Sequence, residues 1–214
     1  MKKIFLILIL AMMCHVYSSA QSVTDGPINF LKGITCDVSF GFGGSFSKEP
    51  YSVAKVSYSL GIDARKKFKT FADGKADYYG LVGLQFQTRG GKKGNDFMGI
   101  IGDDEYYFNY NELCIPIHAG VGRQIKACRL FIDAGPYIGF RLGGSNYESL
   151  KTKPFDFGVG FNFGIKIVKV ILAYKTNIGL LNVGQFVAGD KKYNLPTTCG
   201  TFTIGWSFGA KDKL

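Results

Sequence analysis

The sequence has almost no long apolar run. Its one exception, Ile4–Met13, follows the basic pair Lys2–Lys3 and is ten residues long. That is too short to cross a bilayer as a helix, which takes roughly 20 residues. With Ser18-Ser19-Ala20 ahead of Gln21, residues 1–20 read as a cleaved signal peptide. The bulky Met13 before Cys14 argues against lipoprotein processing. No Pro/Ser-rich linker or low-complexity tract divides the chain beyond Gln21, so one domain is expected. Histidine is scarce: of the two, only His118 lies beyond the signal peptide. The four cysteines there, Cys36, Cys114, Cys128 and Cys199, match no zinc spacing. Acids are also in the minority, 16 against 26 lysines and arginines. In an exported chain that excess points to membrane phosphates and lipopolysaccharide, and no nucleic acid is expected as a partner.

Alternation is what the chain has in abundance. Phe155–Ile167 reads F-D-F-G-V-G-F-N-F-G-I-K-I, with large apolar residues at every odd position. The even positions are Asp156, Gly158, Gly160, Asn162, Gly164 and Lys166. Side chains alternate across a strand, so one face is apolar and the other is glycine and charge. Thirteen residues tilted by roughly 40° rise about 33 Å, enough for an apolar band about 25 Å tall. Lipid gives backbone groups no partners, so a chain that crosses it with such strands must close into a barrel.

Seven further segments share the pattern, beginning near Ile34, Val56, Val82, Glu112, Leu130, Val170 and Thr201. The expectation is an all-β, eight-stranded antiparallel up-and-down transmembrane β-barrel over residues 34–211. Residues 21–33 would form a periplasmic N-terminal segment and 212–214 a C-terminal tail. With both termini periplasmic, the long connectors Gly44–Val53, Gly90–Glu105, Gly143–Thr152 and Asn182–Thr198 become outer loops. Lys66–Lys75, Gly122–Ala127 and Ile167–Lys169 become inner turns. Pro116 and Pro136 fall within strands, where each removes a ladder donor, and bulges are expected there. Tyr78, Tyr79, Tyr106, Tyr107, Trp206 and Phe208 should form interfacial girdles.

The inward positions carry the candidate site. Asp37, Asp63, Glu112, Asp133 and Asp156 face Arg65, Arg89, Arg141, Lys166 and Lys175 in a lumen too narrow to be left empty. Buried charges need partners, so this set reads as a structural charge network, with Arg141 and Asp156 expected to pair directly. His118 and Cys114 lie about 13 Å apart along one strand face, too far for proton transfer between them. Gly41–Gly44 is followed by no helical pattern and is no phosphate loop. No catalytic, cofactor or metal-binding residues are therefore expected. Cys36 and Cys128 should face lipid, Cys114 the lumen and Cys199 a loop, all as free thiols. Lys48, Lys92, Lys93, Lys151, Lys153, Lys191 and Lys192 would form a basic loop rim that could meet lipopolysaccharide phosphates.

Several segments also resemble the PorT-like outer-membrane β-barrel family. They are N-E-L-C-I-P-I-H-A-G-V (Asn111–Val121), F-I-D-A-G-P-Y-I-G-F-R-L (Phe131–Leu142), Phe155–Ile167 and A-Y-K-T-N-I-G-L-L-N-V (Ala173–Val183). The closing aromatic strand Thr201–Phe208 adds to them. The resemblance runs from Tyr78 to Phe208 and extends back to Ile34. It implies a non-catalytic protein of the cell outer membrane with a structural, anchoring or secretion-accessory role. Its implied partners are outer-membrane lipids, the barrel-assembly machinery and secretion-system components, with no cofactor. Two alternatives are a periplasmic lipocalin-like carrier and an outer-membrane lipid-modifying enzyme. The carrier would require an apolar interior.

Overall fold

The computed structural model describes residues 33–47, 52–93, 106–143, 151–181, 184–188, 191–194 and 197–209. Eight long strands hold most of them. They are β1 Ile34–Ser47, β2 Lys55–Phe71, β3 Ala76–Lys93, β4 Tyr106–Ile125, β5 Cys128–Gly143, β6 Phe155–Ile167, β7 Val170–Gly179 and β8 Thr197–Gly209. Each pairs antiparallel with the next, and β8 returns to pair with β1. The result is a closed up-and-down barrel, with no helix among the described residues. Ser52–Val53 pairs with the end of β3. Lys151–Thr152, Gly184–Ala188 and Lys191–Asn194 form a separate small sheet.

The registers fix the shape of the barrel. From Ile34 the facing residues are Lys66, Gly80, Ala119, Ala134, Phe161, Thr176 and Gly200, and the circuit re-enters β1 at Gly44. That is a shear of ten residues. Eight strands about 4.8 Å apart with this stagger tilt by roughly 41° around a mean radius of about 8 Å. At that tilt the 13 residues of β6 rise about 32 Å, enough to span the apolar band.

The two faces separate as the alternation requires. Phe161, Phe163, Phe202 and Ile204 point outward, with Phe202 72% exposed. Asp156 and Glu112 point inward and are 0% exposed. A chain with charge inside and rings outside is not a lipocalin-like carrier, whose interior must be apolar. Tyr58, Phe42, Phe202, Tyr174 and Phe163 occupy facing positions on five consecutive strands, β2, β1, β8, β7 and β6. Their rings touch at 5.5 Å (Phe42–Tyr58), 5.0 Å (Tyr174–Phe202) and 5.5 Å (Phe163–Tyr174) between centroids. Shear carries this aromatic row obliquely across the apolar belt.

Four details correct the sequence reading. Pairing is interrupted beside Pro116 and Pro136, but the register resumes unchanged, so neither residue needs a bulge. The shifts fall instead between Lys67 and Lys69 and between Asn111 and Glu112. The long first inner turn is mostly strand: β2 and β3 stay paired to Phe71–Ala76, leaving only Ala72–Lys75 as turn. Tyr79 is buried in the lumen, not in a girdle, whereas Tyr78 and Trp206 are exposed outside. The side chains of Tyr106 and Tyr107 lie outside the described residues.

Candidate functional site

Nine of the ten expected lumen charges are buried, and Arg141 is partly buried. They fall into connected clusters held by different strands. Nearest the loops, Arg89 on β3 reaches Glu112 on β4 at 2.6 Å and Asp156 on β6 at 3.2 Å. Its Nη1 also donates to the Tyr137 hydroxyl at 3.0 Å, which itself donates to Asp156 at 2.9 Å. Gln87 Nε2 donates to Glu112 and to Cys114 Sγ. The expected Arg141–Asp156 pair is not what forms. Asp156 is taken by Arg89, and the Arg141 guanidinium lies 4.2 Å from the centre of the Tyr110 ring. A tilted barrel brings β3 opposite β6, and the β3 arginine arrives first.

Mid-lumen, Asp133 on β5 gathers three donors from three strands. Tyr79 OH donates to it at 2.6 Å, Asn162 Nδ2 at 2.7 Å, and His118 Nδ1 lies 2.8 Å away. His118 fits because Gly160 faces it: a Cβ there would sit 2.5 Å from Nε2. Cys114 and His118 therefore belong to separate clusters. Across the barrel, Lys175 on β7 donates to Asp63 on β2 at 2.7 Å and to Ser39 at 3.1 Å. Asp37 and Arg65 pair at 3.1 Å between β1 and β2, and Lys166 is buried on β6.

Sequence reasoning missed the turn-side cluster. Arg129 bonds Asp77, and Lys67 approaches the same carboxylate at 3.6 Å. Arg129 and Arg65 lie against the Tyr79 ring, and Arg65 also lies 4.2 Å from the Phe131 ring centre. The signal was present: carrying the β3 and β5 alternation toward the turn puts Asp77, Tyr79, Arg129 and Phe131 inward. The runs Tyr78-Tyr79 and Leu130-Phe131-Ile132 hide that parity, because both neighbours are apolar.

The four cysteines among the described residues are all free. Cys114 is buried in the lumen, as expected, and Cys36 and Cys128 are half-buried on β1 and β5. Cys199 is not in a loop: it lies on β8, is buried, and sits 3.1 Å from Ser57 Oγ. Of the basic loop rim, only the Lys153 side chain is among the described ones, and it is exposed. No group of potential metal ligands occurs among the described residues.

No protein-family model matches the sequence, and no curated protein matches it significantly. Among solved structures it is similar to the outer membrane enzyme PagL, at 13% identity and TM-score 0.49, over 81% of this chain and 99% of that one. It is similar to the attachment invasion locus protein Ail of Yersinia pestis at 13% identity and TM-score 0.42, covering 82% and 99%. The outer membrane protein OprG from Pseudomonas aeruginosa matches at 11% identity and TM-score 0.49, covering 83% and 97%. The first of these likenesses corrects the expectation of a non-enzyme. Fold and surfaces together define the class: an eight-stranded barrel of the outer-membrane type, apolar outside and filled with paired charge.

Proposed function

We propose that this barrel is PorT-like and serves as an anchoring or protein-secretion accessory element of the outer membrane. The barrel is described from Ile34 to Gly209; the expected signal peptide (1–20), the rest of the N-terminal segment (21–32) and the expected end of the barrel with its tail (210–214) lie outside the described residues. Tight turns face the periplasm and loops face outward, the usual arrangement for such barrels. The barrel-assembly machinery inserts it, outer-membrane lipids and lipopolysaccharide surround it, and secretion-system components are its working partners. The observation that carries this reading is the set of charge crossbars between strands far apart in the circle, Arg89–Asp156 and Lys175–Asp63. Crossbars inside a narrow barrel give a stiff post, which suits a protein that holds others in place. The I-P and A-G-P prolines that carry the resemblance sit in unbroken register.

The test is crosslinking in intact cells with identification of neighbours, alongside deletion of the gene. Secretion components among the crosslinks and a protein-export defect on deletion are expected. Normal export together with crosslinks confined to unrelated envelope proteins would overturn the role.

A further inference from the structure

The turn end of the barrel repeats one arrangement three times. Each tight turn carries an exposed lysine: Lys75 between β2 and β3, Lys126 between β4 and β5, Lys169 between β6 and β7. An exposed apolar residue accompanies each: Phe71 at the end of β2, Ile125 at the end of β4, and Val168 within the third turn itself. Lys69 and Arg123 are exposed on the adjoining strand ends, and Asp73 is the one exposed acid among the described residues there. Asp77, the other acid at this end, is buried and bonded to Arg129.

Val168 is the second, independent observation. It has φ 56°, a conformation that branched side chains avoid, and is still 65% exposed. A turn in open water has no use for a strained apolar tip. A turn at a membrane surface does, because the apolar group dips inward while the lysine stays with the headgroups.

We infer that the turn end is a docking surface for the headgroups of anionic glycerophospholipids in the leaflet that covers it. This surface rests on the proposed periplasmic orientation of the turns and names the lipid class at that face. Charge complementarity selects the occupant, since several exposed bases face one acid just beyond the apolar belt.

A reporter is built in. Trp206 is the single tryptophan of the sequence and is exposed on β8 opposite Val170, next to the Val168–Lys169 turn. The Ser207 amide donates to the Lys169 carbonyl at 2.8 Å. The full mature chain is reconstituted in vesicles that mix brominated phosphatidylglycerol or brominated phosphatidylcholine with unlabelled lipid, and quenching of Trp206 is read. Phosphatidylglycerol should be preferred by at least about fivefold, the share of one basic residue at a membrane surface. The preference should fall to near one in a K75Q/K126Q/K169Q variant and in 1 M salt, and persist in the K75R/K126R/K169R variant. No preference in the wild type, or a preference that survives the glutamines, overturns the inference. An unchanged export phenotype with intact lipid preference refutes the secretion role alone. Lost preference with intact crosslinks refutes this surface alone.

Discussion

At the scale of single residues, Arg89 matters more to the lumen than any other charge described. It is 1% exposed and touches two carboxylates from two strands, so its removal strands both. Breaking a buried pair by deleting one partner typically costs about 3–5 kcal/mol. Arg89→Met should therefore lower the unfolding free energy in lipid vesicles by that amount, read from urea titrations. Arg141→Ala removes a partly buried group whose described contact is the Tyr110 face, a cation–π contact of about 0.5–2 kcal/mol. Equal losses for the two would mean that the crossbar is not the stronger contact. Gly160 is a residue-scale constraint of another kind, because His118 fills the space its Cβ would take. Gly160→Ala should cost about 1–3 kcal/mol by overpacking, with Asn177 Oδ1 also only 2.9 Å from the added carbon. A loss below a few tenths in the same titration would show that the niche can open.

At the scale of elements, the hairpin turns separate strain from burial. Ala72 and Val168 are both left-handed, at φ 52° and 56°. A left-handed non-glycine residue costs about 1–2 kcal/mol and glycine's extra unfolded-state entropy offsets roughly 0.5–1 of it, so relief by glycine gains about 0.5–1 kcal/mol when the side chain does nothing else. Ala72→Gly should gain that much. Val168→Gly should gain nothing or lose stability, since burying a valine in apolar surroundings is worth about 1.5–3 kcal/mol. Urea midpoints for the two variants in vesicles check the contrast, and matching gains would place Val168 in water. Strand existence was legible at this scale from alternation alone, and the phenylalanines of β6 point out as that pattern demands. Strand ends were less legible. Lys66–Phe71 is strand because β3 offers it a partner as far as Ala76, which no local pattern reveals. Cys199 looked like loop for the same reason: β1 and β7 flank it only once the barrel has closed.

At the scale of the whole molecule, closure removes every sheet edge from the barrel wall and ties distant strands through the lumen. Lys175 and Asp63 lie on β7 and β2, three steps apart around the wall, yet meet at 2.7 Å. A double-mutant cycle with Asp63→Asn and Lys175→Met should show a coupling of about 0.5–3 kcal/mol, measured by the same unfolding assay. A coupling indistinguishable from zero would mean that the crossbars fill the lumen without bracing it.

The sequence alone decided which side of each strand meets hydrocarbon and which is enclosed. Period-two alternation is a local property, and it survives any rearrangement of partners. Parity along one strand also named ten inward-facing charges without knowledge of the other strands, but not Asp77 and Arg129, whose apolar neighbours hide it. Only the tertiary structure decided how those charges pair. The ten-residue shear sets which strands lie at one height, and that is why Arg89 takes Asp156 from Arg141 and why Asp133 collects Tyr79, His118 and Asn162.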